Sequence, residues 1–161
     1  MLEEKVKRVV GYAWFQNNTP PTIEELRRYF VRFFSEPGIN KLELVDLLID
    51  CGRPKSLSKR IGWNQVLEMK RQGLIDVVLI PSIRLLSEYP LDTMAMAQEL
   101  SYGPNPVEVY FIYEKLWSGH PDFETSFSFH LVTEDYWREL RKRARDMRKL
   151  FREAQLSKDL P

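Results

Sequence analysis

The chain has 161 residues, of which 43% are hydrophobic and 29% charged, with a net charge of +1 and one cysteine. This composition predicts one soluble domain with a sizeable core, and a single cysteine excludes an internal disulfide or a cysteine-rich metal site. No apolar run reaches the roughly 20 residues that cross a bilayer, and no signal-peptide core follows the charged start, so we expect a cytoplasmic protein without membrane contact.

Strands and helices are predicted to alternate along the first 113 residues. Apolar runs between glycine and proline breakers predict strands, and apolar residues at helical spacing behind capping residues predict helices. These elements are strand 6–15, helix 22–36 with a capping box of Thr22 and Glu25, strand 44–50, helix 59–72 with Ser58 as its cap and Gly73 as its stop, strand 74–80, helix 88–101 and strand 107–113. Residues 42–45 also fit a helix. This order predicts an α/β fold with a mostly parallel central sheet and helices on both faces.

The strand predicted at 74–80 is followed by polar residues. Its sequence, Leu-Ile-Asp-Val-Val-Leu-Ile, is typical of a strand buried on both faces of a parallel sheet. Ligands collect beyond the carboxyl ends of such strands, so Ser82, Arg84 and Ser87 lie where chemistry would be expected. No histidine or lysine base is identifiable near either serine, which leaves a serine nucleophile at 82 or 87 as a distant alternative.

The C-terminal third combines an extended segment with a long basic helix. Residues 118–131 alternate apolar and polar side chains, which predicts an extended segment, and Thr133 is the expected cap of the helix. A heptad seam follows, formed by Trp137, Leu140, Ala144, Met147, Phe151 and Ala154. We therefore divide the chain into an α/β domain of residues 1–132 and a helix of residues 133–161 that packs on the domain or forms a dimer interface.

The long helix is also strongly charged. Between Tyr136 and Arg152 eight basic residues stand against two acidic ones, a net charge of +6 that leaves −5 for the rest of the chain. The candidate contacts to an anionic partner are Arg141, Arg145 and Arg148, and the candidate dimer-seam residues are Trp137, Leu140, Met147 and Phe151. A solvated basic face is the alternative interpretation.

Five short motifs follow one another along the α/β region. They read Val-Val-Gly-Tyr-Ala-Trp-Phe-Gln at 9–16, Asp-Cys-Gly at 50–52, Arg-Ile-Gly-Trp at 60–63, a helix running into a strand at 66–78, and Pro-Ser-Ile-Arg-Leu-Leu-Ser at 81–87. In this order and spacing they resemble the catalytic domain of the resolvase and invertase family of serine site-specific recombinases. The family shows Tyr-Ala-Arg-Val-Ser at the first motif, Arg-Pro-Gly-Leu at the third and Lys-Leu-Asp-Arg-Leu-Gly-Arg at the fifth.

The resemblance implies a specific chemistry. A serine hydroxyl attacks a DNA phosphodiester and becomes joined to a 5′ phosphate, while arginines neutralise the transition state without metal or cofactor. At the nucleophile position this chain has Gln16, and Trp14 stands where the family has an arginine. In the fifth motif the family's aspartate is Ile83 and its second arginine is Ser87.

Three positions keep the residue types that the resemblance implies: Asp50, Arg60 and Arg84. We interpret Asp50 as structural. Arg60 stands at a helix start, where positive charge is unfavourable, which favours an anionic partner such as Asp50 or a phosphate. Arg84 fits either a relic phosphate site or an ion pair with Glu88 one turn on.

The resemblance and the substitutions together give a functional hypothesis. We expect a recombinase catalytic-domain relative that has lost DNA cleavage and acts as a DNA-associated or regulatory protein. Its expected partners are duplex DNA, held by phosphate contacts, and a second copy or an active recombinase. The alternative is a non-enzymatic dimerisation module that does not bind DNA. Neither hypothesis calls for a metal or a cofactor.

Overall fold

The computed structural model describes residues 5–15, 21–34, 41–52, 57–87 and 89–158, without the side chains of 134–137, 140, 141, 157 and 158. Its elements are β1 Lys7–Phe15, α1 Ile23–Phe34, β2 Leu42–Cys51, α2 Ile61–Arg71, β3 Val77–Ile80, α3 Pro90–Ser101, β4 Glu108–Phe111, β5 Leu116–Trp117 and α4 Phe123–Lys158. Two single 3₁₀ turns lie at Leu57–Lys59 and Ile83–Leu85.

The strands of the described ranges form one five-stranded sheet in the order β2-β1-β3-β4-β5. The first four strands run parallel, and the two-residue β5 pairs antiparallel with β4. The predicted α/β fold with a mostly parallel sheet is therefore confirmed. The short β5, which the sequence did not predict, makes the sheet a mixed one.

Alternation along β1 sends successive side chains to opposite faces of the sheet. On one face Val9 and Ala13 pack with Phe30 of α1 in the hydrophobic core. On the other face Tyr12 meets Trp63 of α2 edge-on, with 5.3 Å between ring centroids. Helices therefore cover both faces of β1, as the alternating order of elements predicts.

Two predicted helix signals appear as hydrogen bonds and backbone angles. The backbone N–H of Thr22 donates to Oε2 of Glu25 at 3.0 Å, and the N–H of Glu25 donates to the hydroxyl of Thr22 at 3.2 Å. This is the reciprocal capping box expected before α1. Gly73, with a φ of +66°, ends α2 in the left-handed conformation that favours glycine.

Several predicted boundaries are wrong. The second strand begins at Leu42 rather than Leu44, which excludes the helical alternative for residues 42–45, and β3 begins at Val77 rather than Leu74. The residue before α2 is Arg60, so Ser58 is not its cap and lies instead in a 3₁₀ turn.

The prediction of an extended segment at 118–131 is also wrong, because α4 already begins at Phe123. Thr133 lies inside this helix and does not cap it. Phe123 and Phe127 are four residues apart, and this spacing is typical of one face of a helix. The sequence of this segment is therefore compatible with a helix and with a strand. Phe129 is 68% exposed, so the alternate residues do not share one buried face.

The chain divides into two compact units after Phe123, and the described part of the second unit belongs to α4. Within the described ranges, no helix combines the length and the apolar character needed to span a membrane.

Candidate functional site

The candidate site lies at the edge of the sheet where the parallel strands end, which we call the carboxyl edge. Residue pairing places Trp14 of β1 beside Asp50 of β2. Arg60 and the first turn of α2 contact the same residues. Polar groups from separate motifs therefore converge where α/β sheets usually hold ligands.

Asp50 forms the central hydrogen-bonding group of this edge. Its carboxylate accepts the backbone N–H groups of Gly62 at 2.8 Å and Trp63 at 2.9 Å, and the hydroxyl of Tyr12 at 2.8 Å. A Cβ added to Gly62 would lie 3.1 Å from the carboxylate, so glycine allows this close approach. Asp50 thus satisfies N–H groups at the start of α2 that have no partner within the helix.

Arg60 is turned into the protein, with only 4% of its surface exposed. Its Nη1 donates to the backbone carbonyl of Leu86, and its Cζ lies 4.8 Å from the centroid of the Trp14 ring. Its Nε has no hydrogen-bond acceptor among the described residues. The Trp14 indole is itself fixed by a 3.0 Å hydrogen bond to the carbonyl of Gly52. The guanidinium is therefore held on one face by an aromatic ring and at one end by backbone.

Tyr12 lies within the electric field of both charged groups. Burial raises the pKa of its hydroxyl strongly because it disfavours the phenolate, and the negative charge of Asp50 raises the pKa further. The positive charge of Arg60 acts in the opposite direction but is outweighed. Tyr12 is therefore a neutral hydrogen-bond donor to Asp50 at ordinary pH.

The fifth motif lies at the same edge, beyond β3. The Ser82 hydroxyl donates to Oε1 of Glu114 at 2.6 Å, and the backbone N–H of Ile83 donates to the same oxygen at 3.2 Å. Ile83 is buried. Glu114 was not found from the sequence, although it follows β4 and so obeys the rule that pointed to Ser82. These hydrogen bonds to Glu114 fix the start of the 3₁₀ turn.

The remaining residues of this motif differ in their exposure to solvent. Ser87 is buried, and its hydroxyl accepts the backbone N–H of Tyr89 at 3.2 Å. Arg84 is exposed on the 3₁₀ turn. Gln16, the position to which the resemblance assigns the nucleophile, and Glu88, the proposed ion-pair partner of Arg84, both lie outside the described residues.

The candidate DNA contacts and seam residues lie on α4. Arg145 and Arg148 are exposed and line a surface pocket with Arg138 and Ala144. Met147 and Phe151 of the seam are 56% and 68% exposed. The seam and contact residues whose side chains fall outside the description are Trp137, Leu140 and Arg141.

No group of three or more histidine, cysteine, aspartate or glutamate side chains in the described part of the chain could hold a metal ion. Of the carboxylates at the carboxyl edge, Asp50 accepts hydrogen bonds from Tyr12, Gly62 and Trp63, and Glu114 accepts hydrogen bonds from Ser82 and Ile83.

Comparison with known proteins gives the fold. No family model and no curated protein matches the chain. The N-terminal catalytic domain of TP901-1 integrase is similar in structure, with a TM-score of 0.62 and 16% identity over 83% of this chain and 98% of that one. A resolvase family site-specific recombinase from Streptococcus pneumoniae has a TM-score of 0.55 and 18% identity over 92% of this chain and 99% of that one.

A third solved structure supports the same assignment. The C-terminal catalytic domain of ISC1926 TnpA, an IS607-like serine recombinase, has a TM-score of 0.50 and 19% identity over 65% of this chain and 68% of that one. The chain has the fold of a serine recombinase catalytic domain. The carboxyl edge of this fold holds Trp14, Asp50 and Arg60, three of the positions that the resemblance of the motifs assigns to the family's active site.

Proposed function

We propose that this recombinase-like domain binds duplex DNA through phosphate contacts without cleaving it, and that it acts as a DNA-associated or regulatory partner in recombination. The observation that carries the loss of cleavage is the inward position of Arg60. A group that stabilises a phosphoryl transition state must aim its N–H donors at the place where charge develops. Nη1 of Arg60 instead donates a hydrogen bond to the Leu86 carbonyl, and the face of its guanidinium packs against the Trp14 ring.

The sequence adds three further losses to this geometry. Gln16 has no hydroxyl with which to attack a phosphodiester, and Trp14 and Ser87 replace two arginines. Each transition-state donor that is removed typically slows a reaction by about a hundredfold to a thousandfold. Together these changes support a domain in which strand cleavage is negligible.

Binding to DNA is supported by the arginines of α4. Arg138, Arg141, Arg145, Arg148 and Arg152 recur at intervals of three and four residues, which places them on one side of a helix. Arg145 and Arg148 are exposed to solvent. A row of guanidinium groups suits the phosphates of a duplex, because such contacts need charge and donors but no particular base.

The test is a fluorescence titration of a random-sequence duplex at several salt concentrations between roughly 50 and 200 mM. We compare the wild type with the triple variant Arg141→Gln, Arg145→Gln, Arg148→Gln. The matched control removes three charges from exposed arginines of α1, as Arg27→Gln, Arg28→Gln, Arg32→Gln. Because each phosphate contact contributes about 0.9 to the slope of log affinity against log salt, the α4 variant should lose up to about 2.7 of that slope. The α1 control should keep it.

Equal affinity and slope for the wild type and the α4 variant would contradict the proposed contact surface. Absence of wild-type binding at the lowest salt would contradict DNA binding itself. The second candidate, a dimerisation module without DNA binding, is favoured by one observation, the exposure of Met147 and Phe151. If the wild type did not bind DNA and the chain formed a dimer at micromolar concentration, the dimerisation module would be the better explanation.

A further inference from the structure

β2, the longest of the described strands, lies at the edge of the sheet. It spans ten residues, whereas β3 and β4 span four each. Among the described strands only β1 pairs with it, so the backbone groups along its outer side have no strand partner within the described ranges. Of its ten residues only Leu47 is buried. The outer side of β2 is therefore accessible along most of the strand.

Both faces of β2 are packed although its outer edge is unpaired. Leu47 belongs to the hydrophobic core together with Phe30 of α1. On the other face Asp50 accepts hydrogen bonds from Gly62 and Trp63 at the start of α2. The strand is therefore held in place before any partner arrives, and a preorganised edge can add an extended segment of another protein at a low ordering cost.

The sequence of β2 contains few of the features that usually block an edge strand. Proteins commonly protect a long edge with lysine, with proline or with a bulge. Residues Leu42–Cys51 include no lysine, arginine or proline. A bulge is present at Val45, but Asp46–Cys51 continue beyond it in unbroken register with β1. This stretch has about the length of an average strand, so it is long enough to pair with one.

The polar side chains exposed on the first half of β2 are carboxylates. Glu43 and Asp46 are both exposed, and neither forms an ion pair with another described residue. Arg8, which pairs with Glu43 in the sheet register, donates its guanidinium to Asp76. Oδ1 of Asp46 accepts the backbone N–H of Leu47 at 2.8 Å. A cation on a neighbouring strand would neutralise these carboxylates, because opposite charges on paired strands attract.

A second copy of β2 is the less suitable partner for this edge. Each copy of the strand carries carboxylates and no cation, so no register of a pair of β2 strands brings opposite charges together. Like charges that face each other destabilise a strand pair. The charge pattern therefore favours a partner strand that contains lysine or arginine.

We propose that the outer edge of β2 binds an extended, basic segment of a partner protein, which joins the sheet as an additional strand. Backbone hydrogen bonds along Asp46–Cys51 supply the affinity, and the carboxylates of Glu43 and Asp46 select basic side chains. This site uses none of the arginines of α4. The inference goes beyond the proposed function and does not depend on it.

The probe is a fluorescently labelled synthetic peptide of about eight residues in which lysine alternates with valine or threonine, a pattern that favours a strand. One comparison peptide has the same sequence with N-methyl groups on the central residues, so that neither of its edges can donate hydrogen bonds there. Another has glutamate in place of lysine. Fluorescence anisotropy measures binding of each peptide to the full chain. The lysine peptide should bind about tenfold more tightly than either comparison peptide at low salt.

Amide hydrogen exchange followed by NMR locates the bound peptide. The outward-facing amides of Asp46–Cys51 should exchange about tenfold more slowly when the lysine peptide is bound, because they become hydrogen-bonded to it. The amides of α3 should exchange at an unchanged rate.

Substitutions of the two carboxylates test the selection of basic side chains. The double variant Glu43→Gln, Asp46→Asn removes both charges but keeps oxygen acceptors, and should weaken binding of the lysine peptide about threefold to tenfold. The double variant Glu43→Lys, Asp46→Lys should also strengthen binding of the glutamate peptide. The matched control, Glu99→Lys with Glu124→Lys, makes the same charge change on exposed residues of α3 and α4 and should leave the ratio of the two affinities nearly unchanged. Circular dichroism and urea unfolding establish that each variant is folded.

Equal affinity for the lysine peptide and its N-methylated form would overturn the proposal, since binding would then need only positive charge. Slower exchange confined to amides outside β2 would overturn it as well, because the peptide would occupy another surface. Failure of the lysine peptide to bind at millimolar concentration would do the same, as would a homodimer through β2 that excludes the peptide. In each case the salt-dependent DNA titration still tests the proposed function separately.

Discussion

The guanidinium of Arg60 lies against the ring of Trp14, with 4.8 Å between Cζ and the ring centroid. An arginine at position 14, as in the family pattern, would bring two positive charges together here, and a bound anion would be needed to neutralise them. The indole ring instead attracts the guanidinium through its electron-rich face. We infer that Trp14 lets Arg60 remain buried without a phosphate.

The first prediction concerns Arg60→Gln. The variant should unfold at lower urea concentration, with a loss of about 2–3 kcal/mol, because it removes the contact with Trp14 and the charged hydrogen bond to Leu86. Its salt slope for DNA binding should match that of the wild type. Lys59→Gln, at an exposed neighbouring position, is the control and should change stability little. A salt slope lower by about one, with stability unchanged, would instead place Arg60 on a phosphate.

The sheet could be predicted because its signals are local. Each parallel strand is an apolar run between breakers, and the capping box of Thr22 and Glu25 marks α1 within four residues. The start of α4 could not be predicted in this way, because two patterns overlap there. Phe127, Phe129 and Leu131 alternate with polar residues as in a strand, whereas the four-residue spacing of Phe127 and Leu131 fits a helix. The two residues of β5 are too few for any period to appear.

The sequence predicted which residues belong to the candidate site, but not how their side chains are oriented. Motif order pointed to Asp50 and Arg60 before any geometry was known. The direction in which Arg60 points depends on Leu86, 26 residues further along the chain, and no local pattern encodes such a contact. Glu114 was missed because it belongs to no motif, and only its place after β4 connects it with Ser82.

The second prediction is that Gln16→Ser does not restore strand cleavage. The substitution supplies a hydroxyl, but Trp14 and Ser87 still replace arginines and Arg60 still faces the protein interior. Duplexes selected from a random pool for tight binding are incubated with the wild type and the variant, and denaturing gels are used to look for a covalent protein–DNA product. Neither protein should form one. A product that depends on the new serine would show that the edge retains a working phosphoryl-transfer site.

The third prediction uses the pair of Arg8 and Asp76, which joins the start of β1 to the residue before β3. Nε and Nη2 of Arg8 each donate to the Asp76 carboxylate at 3.0 Å. The side-chain hydrogen bond from Arg8 lowers the pKa of Asp76 below its usual range. A lowered pKa stabilises the fold above the unfolded-state value, about 3.9 for aspartate, and this contribution is lost as the pH falls through the folded-state value.

Asp76→Asn should therefore unfold at lower urea concentration than the wild type at pH 7, and the two proteins should converge as the pH falls below about 4. Urea unfolding across this pH range measures the difference. Glu99→Gln removes an exposed carboxylate of α3 and should run parallel to the wild type. If the difference in stability between Asp76→Asn and the wild type were the same at every pH, the effect would come from altered packing or hydrogen bonding and not from the charge of Asp76.

The fourth prediction concerns Asp50, whose carboxylate accepts three hydrogen bonds from β1 and α2. Asp50→Ala leaves the N–H groups of Gly62 and Trp63 and the hydroxyl of Tyr12 without this acceptor, and should cost about 3 kcal/mol of stability. Asp50→Asn keeps one carbonyl oxygen as an acceptor, so its free energy of unfolding should lie between those of the wild type and Asp50→Ala. Urea unfolding orders the three proteins, with Glu99→Ala as an exposed control.

The same variants distinguish a structural carboxylate from a ligand-binding one. A structural Asp50 predicts that Asp50→Asn, wherever it remains folded, binds DNA with the affinity and salt slope of the wild type, because the phosphate contacts proposed here lie on α4. If Asp50 were part of a DNA site, removing its negative charge near a phosphate would raise affinity at low salt. A gain in DNA affinity without loss of stability would therefore move the DNA-binding surface from α4 to the carboxyl edge of the sheet.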